Sequence, residues 1–296
     1  MKSKNSIGPW CPVETVRPLA RALTIAVCFA ALSLAQAQSD WDEPFPPHRI
    51  ADQLYYVGSK GLSTYLIATP EGHILLNSSF ERTVPLIRAS VEKLGFKFGD
   101  VKILLASHAH NDHVEGHALL KELTGAQVFV MQGDDHVIST GGAGQYLYNM
   151  RWRPCKVDRV LKDQDKVTLG GVTLTAHLTP GHTRGCTTWT MQAKDGGKTH
   201  NVVIVGSPNV NPGYQLANNS DYPEISADFA RTFQILKALP CDIFLGAHGN
   251  YYGMEAKYLK LKPGSENNPF VDPQGYRAYI ADREKAYLDT LKRQQK

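Results

Sequence analysis

The sequence predicts an α/β protein whose sheet is layered and has parallel members. Two observations carry this. Between residues 73 and 130, short apolar runs alternate with amphipathic stripes in the order strand, helix, strand, helix, strand. Residues 101–106 (Val-Lys-Ile-Leu-Leu-Ala) read as a buried strand and run straight into Ser107-His108-Ala109-His110-Asn111-Asp112-His113. Sites in such sheets lie beyond the carboxyl ends of strands.

Taken in order, the chain opens on a segment unlike the rest. Lys2, Lys4, Arg17 and Arg21 precede an uncharged run, 22–39, with an apolar heart at 23–32. Ala35-Gln36-Ala37 then fits the small-x-small cleavage pattern of a secretory signal. The expectation is a signal peptide over 1–37 and one domain over 38–296. The apolar heart is too short for a bilayer, which needs about 20 residues.

Residues 41–47 hold three prolines and are expected to form an extended arm. Trp41 and Phe45 on it either pack on the body or line a site. Runs at 54–57, 63–67 and 73–76, split by glycines and by Thr69-Pro70-Glu71-Gly72, predict an antiparallel meander. Apolar residues at 84, 86, 87, 91 and 94 predict a helix over 81–94, ended by Gly95. A helix over 115–123 and a strand at 127–130 follow the His/Asp loop. Residues 141–154 are glycine-rich and carry Tyr146, Tyr148 and Trp152, which border a pocket or cover a core edge. Strands are expected at 157–161, 166–169, 172–178, 187–191, 201–205 and 242–245. Helices are expected at 224–239, 254–261 and 275–292, the last with Tyr276, Tyr279, Ile280, Tyr287 and Leu291 on one face.

The chemistry is concentrated in 108–113. Imidazole and carboxylate are ligands that zinc takes at about 2.0–2.2 Å. His108 and His110 are two apart and can point the same way in an extended loop, while Asp112 and His113 diverge. That suits two metals side by side, each needing further ligands from later in the chain. His182, after 172–178, and His248, after 242–245, each sit just past a strand. The helical zinc signature with two histidines four apart is not met: in His113-Val114-Glu115-Gly116-His117 the Glu is one place late. His117 is expected outside the ligand set.

Ser-His-Ala-His-Asn-Asp-His at 107–113, Pro-Gly-His-Thr at 180–183 and Gly-Ala-His at 246–248 resemble the motif set of the metallo-β-lactamase superfamily over about residues 41–293. The resemblance implies a four-layer αββα sandwich with a binuclear zinc cleft at one edge. It implies His108, His110 and His182 on a first zinc, and Asp112, His113 and His248 on a second. Many superfamily hydrolases, such as glyoxalase II, carry a metal-bridging Asp after the strand that here is 202–205. This chain has Gly206-Ser207-Pro208 instead, and no cysteine either, a pattern similar to subclass B3. The implied activity is hydrolysis of the β-lactam amide of penicillins, cephalosporins and carbapenems. Hydroxide on the first zinc, oriented by the catalytic Asp112, would attack the carbonyl, and the second zinc would stabilise the departing nitrogen. Ser207 and Asn209 would hold the substrate carboxylate, although Ser207 equally suits a turn cap. Alternatives are a same-fold zinc hydrolase of a lactone or thioester, and a non-catalytic zinc-binding module.

Composition fits these expectations. The chain has 32 Lys+Arg against 28 Asp+Glu, but residues 1–37 hold four of the bases and one acid, leaving 28 against 27. The basic excess lies in the leader and gives no footprint for nucleic acid. A periplasmic monomer, off the membrane once the signal is cleaved and acting on a small-molecule β-lactam, is expected. Cys155, Cys186 and Cys241 remain after the leader, an odd number that allows at most one internal bridge.

Overall fold

The computed structural model describes residues 40–262 and 267–296. The expected signal peptide and its cleavage point lie outside them. Among the described residues no helix is long and apolar enough to cross a membrane.

Strands β1 (His48–Ala51), β2 (Leu54–Tyr56), β3 (Tyr65–Thr69) and β4 (Gly72–Leu76) form the meander. Helix α1 (Val84–Lys93) crosses to β5 (Val101–Leu105), which pairs parallel with β4. Helices α2 (Asn111–Val114) and α3 (His117–Thr124) lead to β6 (Gln127–Met131), and α4 (Asp135–Ser139) leads towards β7 (Arg159–Leu161). These seven strands make one sheet in sequence order. β8 (Lys166–Leu169), β9 (Val172–Leu178), β10 (Thr187–Asp195) and β11 (Lys198–Val205) are antiparallel neighbours in the second sheet. After α5 (Ile225–Ala238), β12 (Ile243–Gly246) joins β11 in parallel at its edge. Helices α6 (Met254–Tyr258) and α7 (Pro273–Gln294) close the fold.

Period-two alternation sends side chains of one strand to two cores. In β5, Ile103 and Leu105 join the core between the sheets with Trp189, Met191 and Val202, whereas Leu104 joins Val84, Ile87, Val91 and Leu120 under α1 and α3. On the second sheet, Phe244 of β12 meets Tyr276 of α7 at 5.4 Å between ring centroids. The result is the four-layer αββα sandwich. Trp189 Nε1 donates to Ala106 O at 3.0 Å, and Thr187 N donates to Ser107 O at 2.7 Å, so the sheets are tied where β5 ends.

Several elements differ from expectation. β1 extends the meander directly from the proline arm. The helix expected over 115–123 begins only at His117, as α3; Gly116, where a Cβ would lie 2.7 Å from Ser78 O, separates it from the short α2, which falls in the loop expected before it. The strand expected from 157 begins at Arg159, and the helix expected to reach 261 stops at Tyr258, since Leu259 is exposed and has no face to bury. No disulfide forms among the described residues: Cys155, Cys186 and Cys241 are free thiols.

Candidate metal centre

Three turns from two sheets supply the predicted ligands. The first follows β5. Its start is fixed by Asn77 at the end of β4, whose Oδ1 accepts the Ser107 N–H at 2.8 Å while its Nδ2 donates to Ser63 O. His110 is extended (φ −100°, ψ 151°) and Asp112 and His113 enter the short helix α2, so the two pairs of ligands diverge. The second turn joins β9 to β10. Gly181 at φ +119° lets the chain reverse before His182, and Phe229 fills the space where a Cβ would sit. The third follows β12, where His248 bridges back to Leu62.

All six side chains converge. The donor atoms of His108, His110 and His182 lie within 4.8 Å of one another. In the second set, Asp112 Oδ2 is 3.1 Å from His113 Nε2 and 3.5 Å from His248 Nε2, and the two Nε2 atoms are 3.1 Å apart. Metal–ligand bonds of about 2.0–2.1 Å arranged tetrahedrally place donors about 3.3 Å apart. These spacings therefore fit one cation among the three atoms. The His108 and His113 rings lie tilted with centroids at 4.2 Å, so the sets adjoin, and His108 also groups with Asp112 and His113.

Electrostatics favour a cation. Burial, then the neighbouring imidazoles, push His108 and His110 well below their ordinary value. Burial lowers His182 to about 4 and His248 to about 3. Neutral rings keep a lone pair for a metal. His182 Nδ1 donates to Asn209 O at 2.8 Å, which fixes the tautomer and leaves Nε2 as its donor to a cation. Burial opposes charge on Asp112, but the imidazoles of His113, His248 and His110 outweigh it and hold the carboxyl below the usual carboxylate range.

Comparison with known proteins fits this geometry. Residues 60–195 match the family model described as the metallo-β-lactamase superfamily. The native FEZ-1 metallo-β-lactamase of Legionella gormanii is 51% identical, with 86% of this chain and 98% of that chain covered and a TM-score of 0.84. The chain belongs to the metallo-β-lactamase superfamily. BJP-1, a subclass B3 metallo-β-lactamase of Bradyrhizobium japonicum, is 37% identical over 88% of this chain and 98% of that one, with a TM-score of 0.82. A curated hydroxyacylglutathione hydrolase of Pseudomonas putida is 39% identical over 82 residues, so the match spans only 25% of that protein and 28% of this chain.

Around this metallo-β-lactamase-type centre, the predicted substrate contacts are present but occupied. Ser207 is buried at the end of β11, with no carboxylate in its place. Its Oγ lies 3.2 Å from Tyr251 OH, and Asn209 Nδ2 donates to the same hydroxyl at 2.7 Å. Tyr251 was not legible in sequence, although it follows His248 by three residues and its ring lies 5.0 Å from that imidazole. Arg283 of α7 reaches Asn209 Oδ1 at 3.4 Å. Both aromatic segments border the site: Tyr148 lies 5.1 Å from His110, and Trp41 lies 5.8 Å from His248. His117 is fully buried with Nδ1 2.7 Å from Ser78 Oγ, which also donates to His113 O at 3.3 Å. His177 is a strand residue held by Gln164 and Thr190.

Proposed function

We propose that this chain is an exported subclass B3 β-lactamase with two zinc ions, working in the periplasm and conferring resistance to β-lactam antibiotics. The observation that carries the reading is the adjoining pair of donor triads, with tetrahedral spacing in the second, beside a β11 end that offers Ser207 in place of an acid. When bound, the cations would supply an ionised water at neutral pH and Lewis-acid help for a nitrogen that leaves poorly.

The protein's own residues do the rest. His108, His110 and His182 give the first cation three neutral donors, and Asp112, His113 and His248 give the second a charged set. Asp112, buried and ionised, orients the attacking water through its carboxylate. Ser207 Oγ and Asn209 Nδ2 turn from Tyr251 to the substrate carboxylate, and Arg283 adds positive charge behind Asn209. Trp41 and Tyr148 flank the opening and shed water from it. A monomer suffices, because all six ligands come from one chain.

A second reading, a thioester hydrolase of the same fold, is favoured by the short match to the hydroxyacylglutathione hydrolase. The missing acid at 207 counts against it. Purified protein, zinc-loaded and chelated, is to be tried on a penicillin, a carbapenem and an S-acylglutathione. Lactam opening that disappears with chelator and returns with zinc is expected. Thioester cleavage without lactam opening would establish the second reading, and zinc uptake with neither activity would leave a binding module.

A further inference from the structure

Asp134, between β6 and α4, joins two of the ligand turns and belongs to neither. Its carboxylate is buried. Oδ2 accepts the Ala109 N–H at 2.7 Å and the Thr183 hydroxyl at 2.8 Å, and Oδ1 accepts the Gly185 N–H at 2.9 Å. Ala109 lies between His108 and His110, and Thr183 follows His182. One side chain thus spans the two turns that carry the whole first triad, one turn from each sheet. The close approach is built in: a Cβ on Gly185 would lie 2.5 Å from Asp134 N, and one on Gly133 would lie 2.9 Å from the Arg184 carbonyl carbon.

The charge is the second half of the argument. Among the described residues no cation forms an ion pair with Asp134. A buried carboxylate with donors but no counter-charge is costly, and burial raises its proton affinity accordingly. A metal held by the turns it braces would supply a positive charge.

We infer that Asp134 is the positioning residue of the first metal site, setting His182 against His108 and His110 and finding its counter-charge in the bound cation. The inference rests on the metal part of the reading above and not on the lactam substrate. It can therefore fail while lactam hydrolysis stands.

The test is zinc and cobalt titration of the metal-free full chain, with competition for affinity and the cobalt absorption spectrum for ligand geometry. In the wild type, two ions are expected; none would sink the metal reading itself. Asp134→Asn is expected to weaken the first site at least tenfold, shift its cobalt bands and leave the second site within threefold. Asp158→Asn is the control. That carboxylate also braces a backbone, accepting the Val128 N–H at 2.8 Å, but away from the ligands. It should lower stability and leave both affinities unchanged. If Asp134→Asn does not fold, Thr183→Val removes one of the three bonds and should weaken the first site about threefold. Affinities within twofold of wild type in the variant that folds, or an equal loss in Asp158→Asn, would overturn the proposal.

Discussion

His248 reaches the site alone, from the end of β12, and its Nε2 faces the Nε2 of His113 at 3.1 Å. Two neutral lone pairs that close repel unless a proton or a cation sits between them. His248→Ala removes a donor from the second set only, since His108, His110 and His182 come from the other turns. Metal analysis after dialysis should fall from two zinc ions to about one, and kcat on a carbapenem should fall at least 100-fold, about 2.7 kcal/mol of barrier. Two tightly held ions in the variant would refute the assignment of His248. A different histidine governs stability. His48 sits among Phe45, Tyr56, Tyr258 and Phe270, and burial lowers it from 6.5 to about 4. The folded state then binds fewer protons than the unfolded chain between these values. Its stabilising contribution is complete above pH 6.5 and is lost as pH falls towards 4, by about 2–3 kcal/mol. His48→Phe gives up the bond to Pro46 O, so at pH 8 it should be about 1 kcal/mol less stable. The urea midpoints of variant and wild type should then converge or cross by pH 4.5. A gap that stays constant with pH would rule this account out. The convergence of the six proposed ligands was legible because four lie within six positions and the other two follow strand ends. Asp134 and Tyr251 were not, because their roles rest on partners 25 to 51 and 42 to 44 positions away, with no local spacing to reveal them.

At the scale of elements, the turn between β9 and β10 shows how backbone geometry aims a ligand. Gly181 has φ +119°, and a Cβ there would meet the Phe229 ring of α5 at 2.7 Å. Gly181→Ala should therefore cost at least about 2 kcal/mol, from strain and overpacking together, and weaken zinc binding because His182 is the next residue. Gly171 in the β8–β9 hairpin is the comparison. It is also at positive φ, +83°, but nothing lies within 4 Å of its Cβ position. Gly171→Ala should cost about 1 kcal/mol and leave zinc affinity unchanged. Denaturant melts and metal titration of the two variants separate the outcomes; equal zinc affinities would show that the turn does not aim His182. Long elements such as α1, α5 and α7 were legible because each has enough turns for an apolar stripe to repeat. β1 and α4 span four and five residues and hold only two adjacent apolar residues each, with neither an alternation nor a stripe to register. The split between α2 and α3 depends on Ser78, brought against Gly116 by tertiary packing.

Across the whole molecule, the proposed ligands divide between the sheets. His108, His110, Asp112 and His113 follow β5 of the seven-stranded sheet, and His182 and His248 follow β9 and β12 of the five-stranded one. Each donor triad takes members from both. Metal binding through them would be a cross-link between halves that otherwise meet through the apolar core around Trp189 and a few backbone bonds, such as Thr187 to Ser107 and Ser63 to Ala247. The described chain buries an extensive core of its own, so the metal-free protein should stay folded. What it loses is the linkage term, about 4 kcal/mol for each ion when free zinc stands at 1,000 times that ion's Kd. For a chain of this size that corresponds to a fall in Tm of roughly 10 °C per ion. The loss should also be local. Amide exchange on chelation should quicken in residues 107–116, 179–186 and 246–252, while the central strands β4, β5, β10 and β11 stay protected. A chelated protein that melts with the zinc-loaded form, or that exchanges uniformly faster, would show that the cations do not fasten the two sheets at this edge.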